Sequence, residues 1–190
     1  MGVLLLVRHG ETLWSASGQH TGRTDLPLTA HGEAQARSLA PGLAARPVVA
    51  AYASPLQRAL RTAQLAGFEA EVDPDLLEWD NGDYEGRTTA QIREQRDAWW
   101  LWTDGAPGGE DWEQVQSRCE RVVARVAPSL DNGDVVLFGH GHALRALTAV
   151  WVDLPAWQGG IFTQDAGSLS VLGHYHGHRV VQHWNELAQP

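Results

Sequence analysis

The chain contains no lysine: apart from histidine, all 14 basic side chains are arginine. That excludes a P-loop lysine, a pyridoxal Schiff base and any lysine nucleophile. There is one cysteine, Cys119, so no intramolecular disulfide is available, and a reducing compartment is expected. No apolar run approaches the ~20 residues needed to span a bilayer. The stretch Met1-Gly2-Val3-Leu4-Leu5-Leu6 lacks the basic segment of a signal peptide, and Leu6 stands where a myristoylation motif needs Ser or Thr. A cytoplasmic protein is the expectation. Positive charge is scarce overall, 14 basic against 23 acidic groups for a net −9, which argues against nucleic-acid or membrane partners. Any anion this chain binds must be held by a local cluster of arginine.

What is present suits one globular domain over residues 1–190, with 43% hydrophobic residues. Short apolar runs alternate with helical patterns, which predicts an α/β fold: a three-layer α/β/α sandwich around a mainly parallel, mixed sheet. Val3 to Val7 and Val135 to Phe138 read as buried strands, and Val48 to Ala53 as a further strand. Thr29 caps a helix carrying Ala34, Leu39 and Leu43, with Pro41 a point of shortening. Ser54-Pro55 opens another that runs to about Gly67, burying Leu56, Leu60, Ala63 and Leu65 and leaving Arg58 and Arg61 on other faces. Thr88 to Arg96 reads as a short helix. From Asp111 to about Ala127, Trp112, Val115, Cys119, Val122, Val123 and Val126 recur at helical spacing until Pro128. Leu144, Leu147 and Trp151 mark a further helix. Ser168 to Leu172 and Arg179 to Trp184 form a hairpin around His176-Gly177.

Three strand exits carry polar residues: Arg8-His9-Gly10-Glu11-Thr12, Ser54-Pro55-Leu56-Gln57-Arg58 and Gly139-His140-Gly141-His142. Ligands of open α/β sheets collect beyond the carboxyl ends of the strands. If these strands are neighbours, two arginines and two histidines converge there. The arginine fork matches phosphate oxygens, and a neutral imidazole attacks phosphorus. Phosphoryl transfer is the reading. The acid is not legible from the residues alone, because Asp75, Glu78, Asp80, Asp83 and Glu85 crowd one loop-like stretch.

Leu6-Val7-Arg8-His9-Gly10-Glu11-Thr12 resembles the signature of the histidine phosphatase superfamily, the phosphoglycerate mutase-like fold. Four further blocks follow in the family's order: Thr21 to Thr29, Ser54 to Ala59, Leu77 to Gly86, and Gly139-His140-Gly141. The resemblance implies that His9 is the nucleophile, forming a phosphohistidine, and that Arg8, Arg58 and His140 bind the transferring group. It makes Glu78 the proton donor and then the base for water. Ser15, Thr21, Gly22 and Gly141 would complete the substrate pocket. Two arginines beside His9 should keep it neutral, and a bound phosphate should raise the pKa of Glu78. Leu13 to Gly22 and Gly139 to Arg145 look closest to the acid phosphatase and sedoheptulose-bisphosphatase branches.

The implied activity is a metal-independent phosphomonoester hydrolase, of the histidine acid phosphatase type, acting on small phosphorylated metabolites, sugar phosphates foremost. No cofactor is expected; the partner is the small substrate, and a homodimer is compatible. The alternatives are a cofactor-dependent phosphoglycerate mutase-type phosphotransferase and a non-catalytic phosphate-binding protein. Mutase-like relatives carry Glu-Arg-His-Tyr where this chain has Glu78-Trp79-Asp80-Asn81, which lowers the first. His174, His176, His178 and His183 read as turn histidines and not as a metal site. Trp99, Trp100, Trp102 and Trp112 read as core, with a substrate wall the alternative. Arg61 and Arg145 read as surface or structural charges.

Overall fold

The computed structural model describes residues 1–187. Its strands are β1 (Leu4–Arg8), β2 (Val48–Ala53), β3 (Glu71–Val72), β4 (Asp134–Gly139), β5 (Ser168–Tyr175) and β6 (His178–Leu187). The helices are α1 (Leu13–Ser17), α2 (Ala30–Ser38), α3 (Ala40–Ala44), α4 (Gln57–Leu65), α5 (Thr89–Arg93), α6 (Leu101–Asp104), α7 (Trp112–Val126) and α8 (Gly141–Trp151). The six strands lie in the order β3-β2-β4-β1-β5-β6. Pairing is parallel from β3 through β1 and antiparallel at β1–β5 and β5–β6. This is the predicted mixed α/β sheet, with the hairpin at one edge. Its turn residues, His176 and Gly177, have φ of +49° and +82°. Paired positive φ values are what a tight two-residue hairpin requires.

Alternate residues of the central strands enter opposite cores. Leu4, Leu6, Val135 and Leu137 meet the inward faces of α7 and α8, together with Trp79, Trp99 and Trp102. Leu5, Val7, Val136 and Phe138 meet Leu39, Leu43 and Ala63 on the other side. A strand buried on both faces has no polar alternation, which is why these runs read as apolar throughout. Among the described residues, no helix is long and apolar enough to cross a membrane.

Several local expectations need correction. The first helical stretch breaks at Leu39, because Pro41 sits in the first turn of α3; its inward positions are Gly32, Ala36, Leu39 and Leu43, while Ala34 is exposed. Ser54 does not cap α4, which begins at Gln57 with Leu56 at its cap and no side-chain cap bond. Arg58 is on the buried face of that helix, with Ala59, Thr62 and Ala63, whereas Leu60 and Leu65 are only half-buried. Hydrophobic periodicity cannot anticipate an inward arginine, since the burial is stabilised by polar partners from distant loops. The stretch predicted from Thr88 to Arg96 is helical only over α5, capped by Thr88 and Gln91.

The register places the three polar exits side by side. Arg8 pairs with Gly139 across β1–β4, and Ala53 with Phe138 across β2–β4. His9, Ser54 and His140 therefore leave one edge of the sheet on adjacent strands.

Candidate active site

His9 follows β1, its backbone N–H donating to the Gly139 carbonyl at 3.0 Å. The next residue is anchored by Thr62, whose hydroxyl accepts from Gly10 N–H at 3.1 Å and donates to the Arg58 carbonyl at 2.7 Å. The His9 ring is buried, with Nδ1 2.7 Å from the Gly10 carbonyl. A carbonyl only accepts, so Nδ1 carries the hydrogen and Nε2 keeps its lone pair. Burial, then Arg58 and Arg8, pushes the His9 pKa down to about 3. The expected neutral imidazole is therefore present, held mainly by desolvation and secondarily by the two cations.

Arg8 crosses the site from the end of β1 and donates through Nη1 to the Gln164 carbonyl. Its guanidinium lies flat against Gly141, where any Cβ would come within 3.3 Å of it. A side chain at 141 would press on the guanidinium and oblige it to shift by a few tenths of an ångström. Arg8 Nε and both polar atoms of the Gln164 side-chain amide are buried without a partner among the described residues. Buried orphans of this kind are rare unless a ligand satisfies them.

Arg58 is fully buried and donates to His140 Nδ1 at 3.1 Å, the Thr24 carbonyl at 2.8 Å and the Gly22 carbonyl at 2.9 Å. His140 Nε2 is 2.7 Å from the Ser54 hydroxyl. Since Nδ1 accepts from Arg58, Nε2 carries the hydrogen and donates to Ser54. The rings of His9 and His140 are 5.2 Å apart. Burial, then Arg58 and His9, holds the His140 pKa well below its ordinary value. Neither Arg8 nor Arg58 forms a carboxylate ion pair among the described residues, in contrast to Arg118.

Glu78 faces this group from the loop after the Pro74–Leu76 turn. Arg118 of α7 fastens that loop, donating to the Asp75 carbonyl at 3.0 Å and the Leu77 carbonyl at 2.7 Å while pairing with Glu110. The Glu78 carboxylate accepts from backbone N–H groups of Trp79 (2.8 Å), His142 (3.0 Å) and Ala143 (2.8 Å), the last two at the start of α8. The His142 ring stands 3.6 Å away. Burial would raise the Glu78 pKa, but His142, His140 and the Trp79 N–H outweigh it and hold the carboxyl well below its usual range. The raised pKa expected from sequence applies to Glu78 beside a bound phosphate. The two N–H groups that open α8 also favour a carboxylate at this place.

The open cavity over His9 has a volume of about 170 Å³. Arg8, Ser15, Thr21, Glu78 and Gly141 line it as expected, and so do Gly18, Gln19, His20, His142, Arg145 and Gln164. Gly22 does not line it: its N–H is taken by the Glu85 carboxylate at 2.8 Å and its carbonyl by Arg58. Ser15 lines the wall with a committed hydroxyl, which accepts from Thr12 N–H at 2.8 Å and donates to the Thr12 carbonyl at 3.0 Å. Arg58 and His140 sit behind His9, outside the cavity wall. Arg61 is the surface charge expected, paired with Glu33 at 2.9 Å, but Arg145 belongs to the cavity. Trp99 and Trp102 are core residues that support this wall, Trp99 edge-on to His20 and Trp102 beneath His142 and Arg145. Trp100 is 40% exposed. His174 packs against Trp151, and among the described residues no three His, Cys, Asp or Glu side chains gather to hold a metal.

Two neutral buried histidines make stability depend on pH. His9 and His140 refuse protons that the unfolded chain accepts below about 6.5. Their contribution is full above that pH and is lost as pH falls towards the folded values, the share of His9 amounting to about 2 kcal/mol by pH 5. Glu78, with its lowered pKa, loses its own contribution only at still lower pH. The urea midpoint is expected to drop between pH 7.5 and 5, and to drop less in His9→Asn. Equal midpoints at both pH values would contradict the neutral pair.

The sequence matches the histidine phosphatase superfamily (branch 1) over residues 4–187. It is 44% identical over 182 residues to an acid phosphatase of Mycobacterium tuberculosis, covering 93% of this chain and 88% of that protein. It is 37% identical over 182 residues to a sedoheptulose 1,7-bisphosphatase of Saccharomyces cerevisiae, covering 79% of this chain and 67% of that one. A solved structure of an open-reading-frame product from Mycobacterium tuberculosis superposes with a TM-score of 0.95 at 40% identity, covering 99% of each chain.

Proposed function

The chain belongs to the histidine phosphatase superfamily, and we propose that it hydrolyses phosphomonoesters of small metabolites, sugar phosphates foremost, through a phosphohistidine on His9. One observation carries the reading. His9 is buried and neutral, with Nδ1 tied to the Gly10 carbonyl and Nε2 left as a nucleophile. Around it, Arg8 and Arg58 hold positive charge without carboxylate partners, which suits an arriving phosphoryl group. The names of the relatives, an acid phosphatase and a sugar bisphosphatase, support hydrolysis and the substrate class.

The chemistry follows from the protonation states. The His9 Nε2 lone pair attacks phosphorus as the bond to the leaving oxygen breaks. The Glu78 carboxyl is held well below its usual range, but a bound phosphoryl group brings negative charge beside it and favours uptake of a proton from solvent. That proton goes to the leaving oxygen. Water then gives a proton back to the Glu78 carboxylate and attacks the phosphohistidine, releasing inorganic phosphate and neutral His9. Arg8 faces the phosphoryl oxygens from the cavity wall and Arg58 adds its charge from behind His9, so activity is expected to survive EDTA.

Because Glu78 must gain a proton, kcat/KM is expected to be highest on the acid side of neutrality and to fall as pH rises. His9, neutral above about 3, adds no acid limb between pH 4 and 8. The deciding experiment quenches turnover of p-nitrophenyl phosphate rapidly in base and maps the chain by mass spectrometry. An acid-labile phosphoryl group on the His9 peptide is expected. Phosphate release with no adduct, and undiminished in His9→Ala, would overturn the mechanism.

A further inference from the structure

Glu78 is bracketed along the chain by one ion pair that stands outside the cavity wall, Arg118 of α7 and Glu110 in the connection between α6 and α7. Arg118 holds the residues before Glu78 through the Asp75 and Leu77 carbonyls. Glu110 holds the residues after it. Its carboxylate accepts from the Asp80 N–H at 3.0 Å, and its carbonyl accepts from the Trp79 indole N–H at 2.9 Å. Its own N–H donates to the Asp80 carbonyl at 3.1 Å. The pair is bidentate, with Arg118 Nε and Nη2 donating to the two Glu110 oxygens at 3.0 and 3.2 Å. The Arg118 side chain is 6% exposed and that of Glu110 16%, so solvent screens little of the attraction.

Behind the acid loop the packing is backbone on backbone. A Cβ on Gly109 would stand 2.2 Å from the Asp80 carbonyl oxygen and 3.0 Å from Gly82 N. Asp83 N–H donates to the Pro107 carbonyl at 2.9 Å. Residues 107–110 are thus a strap laid along the loop that carries Glu78. Arg23 ties the same point to the phosphoryl side, standing 3.4 Å from both Asp80 and Glu110. Its neighbours Gly22 and Thr24 supply the carbonyls that hold Arg58. A general acid works only with its proton in hydrogen-bond reach of the leaving oxygen, and a displacement of about 1 Å costs about a hundredfold.

We infer that Glu110, clamped by Arg118, is a positioning residue for proton transfer from Glu78: the pair sets the place of the acid and leaves the attack of His9 untouched. This rests on the phosphatase reading and deepens it. The proton passes from Glu78 to the leaving oxygen, and neither Glu110 nor Arg118 gains or loses one.

The test uses two esters of the same ring, phenyl phosphate and p-nitrophenyl phosphate. p-Nitrophenolate leaves without a proton, whereas the more basic phenolate depends on the acid. The readout is the ratio of their kcat/KM values, which reports the phosphorylation step and in which the amount of folded enzyme cancels. Glu110→Gln keeps the shape of the side chain, and Gly109→Ala obliges Asp80 to move without changing any charge. Each is expected to lower the phenyl to p-nitrophenyl ratio by about tenfold or more, in the direction of Glu78→Gln. Arg118→Lys should fall between these variants and the wild type. Added to Glu78→Gln, Glu110→Gln should leave the ratio where Glu78→Gln put it, because the clamp then has no acid to place. A ratio unchanged in Glu110→Gln and Gly109→Ala, while Glu78→Gln moves it, would overturn the clamp alone. A ratio unmoved in Glu78→Gln would instead remove the acid role from the phosphatase reading, and the clamp with it.

Discussion

Replacing His9 by alanine is expected to lower kcat/KM for phosphomonoester hydrolysis by about ten-thousandfold or more, a loss of about 5 kcal/mol of transition-state stabilisation. The size follows from what remains. Arg8, Arg58 and Glu78 would still bind and polarise the phosphoryl group, but water would have to attack directly and no covalent intermediate would divide the barrier. Folding should survive, because the His9 side chain makes one hydrogen bond, to its neighbour's carbonyl, and being neutral it pairs with no charge. At acid pH the variant should even lose less stability than the wild type. Phosphate binding measured by calorimetry should persist, and added imidazole should restore part of the rate by filling the vacated space. A variant within tenfold of the wild type would rule out His9 as nucleophile.

Arg58→Met has the second largest expected effect, and it reaches both stability and rate. Methionine fills the apolar stem but removes three donated hydrogen bonds, leaving the Gly22 and Thr24 carbonyls and His140 Nδ1 without partners. Each such orphan costs about 1–3 kcal/mol, offset in part because a buried cation is no longer desolvated. A net destabilisation of about 2–4 kcal/mol is expected in urea unfolding at pH 7.5. Activity should fall by about a hundred- to a thousandfold through lost charge at the phosphoryl oxygens. Arg58→Lys should recover little, since an ammonium cannot span His140 and two carbonyls at once. Inorganic phosphate should raise the melting temperature of the wild type more than that of Arg58→Met. Equal shifts would remove Arg58 from the phosphoryl site.

Much of this site is legible in one dimension because its residues sit beside features with strong local signals. Arg8, His9 and His140 follow buried apolar strands, and the exits of such strands are where ligands bind. Gly141, named through the resemblance as a pocket residue, opens α8 and lies against Arg8. Elsewhere the part a polar group plays is hidden from the sequence for an equally physical reason. Gly22 carries free-looking backbone groups in sequence, yet Glu85, 63 residues away, occupies its N–H. The Ser15 hydroxyl is consumed by the α1 capping box with Thr12. Ser54 resembles a helix cap but turns to His140.

The sequence by itself determined the chemistry available and the layering of the fold. In a chain with no lysine, the permanent side-chain charge for a phosphoryl group comes from arginine, and short apolar runs alternating with amphipathic helices give an α/β fold. Only the tertiary structure decided which groups meet. Gln164 comes to Arg8 across 156 positions and Arg58 comes to His140 across 82, distances over which no local pattern carries information. It also decided the charge states. The low proton affinity of Glu78 comes from the His142 and His140 side chains and the Trp79 N–H, and its carboxylate is held by the N–H groups of His142 and Ala143, 64 and 65 residues away. Proton affinity in a buried site is set by neighbours in space, and those neighbours exist only after folding.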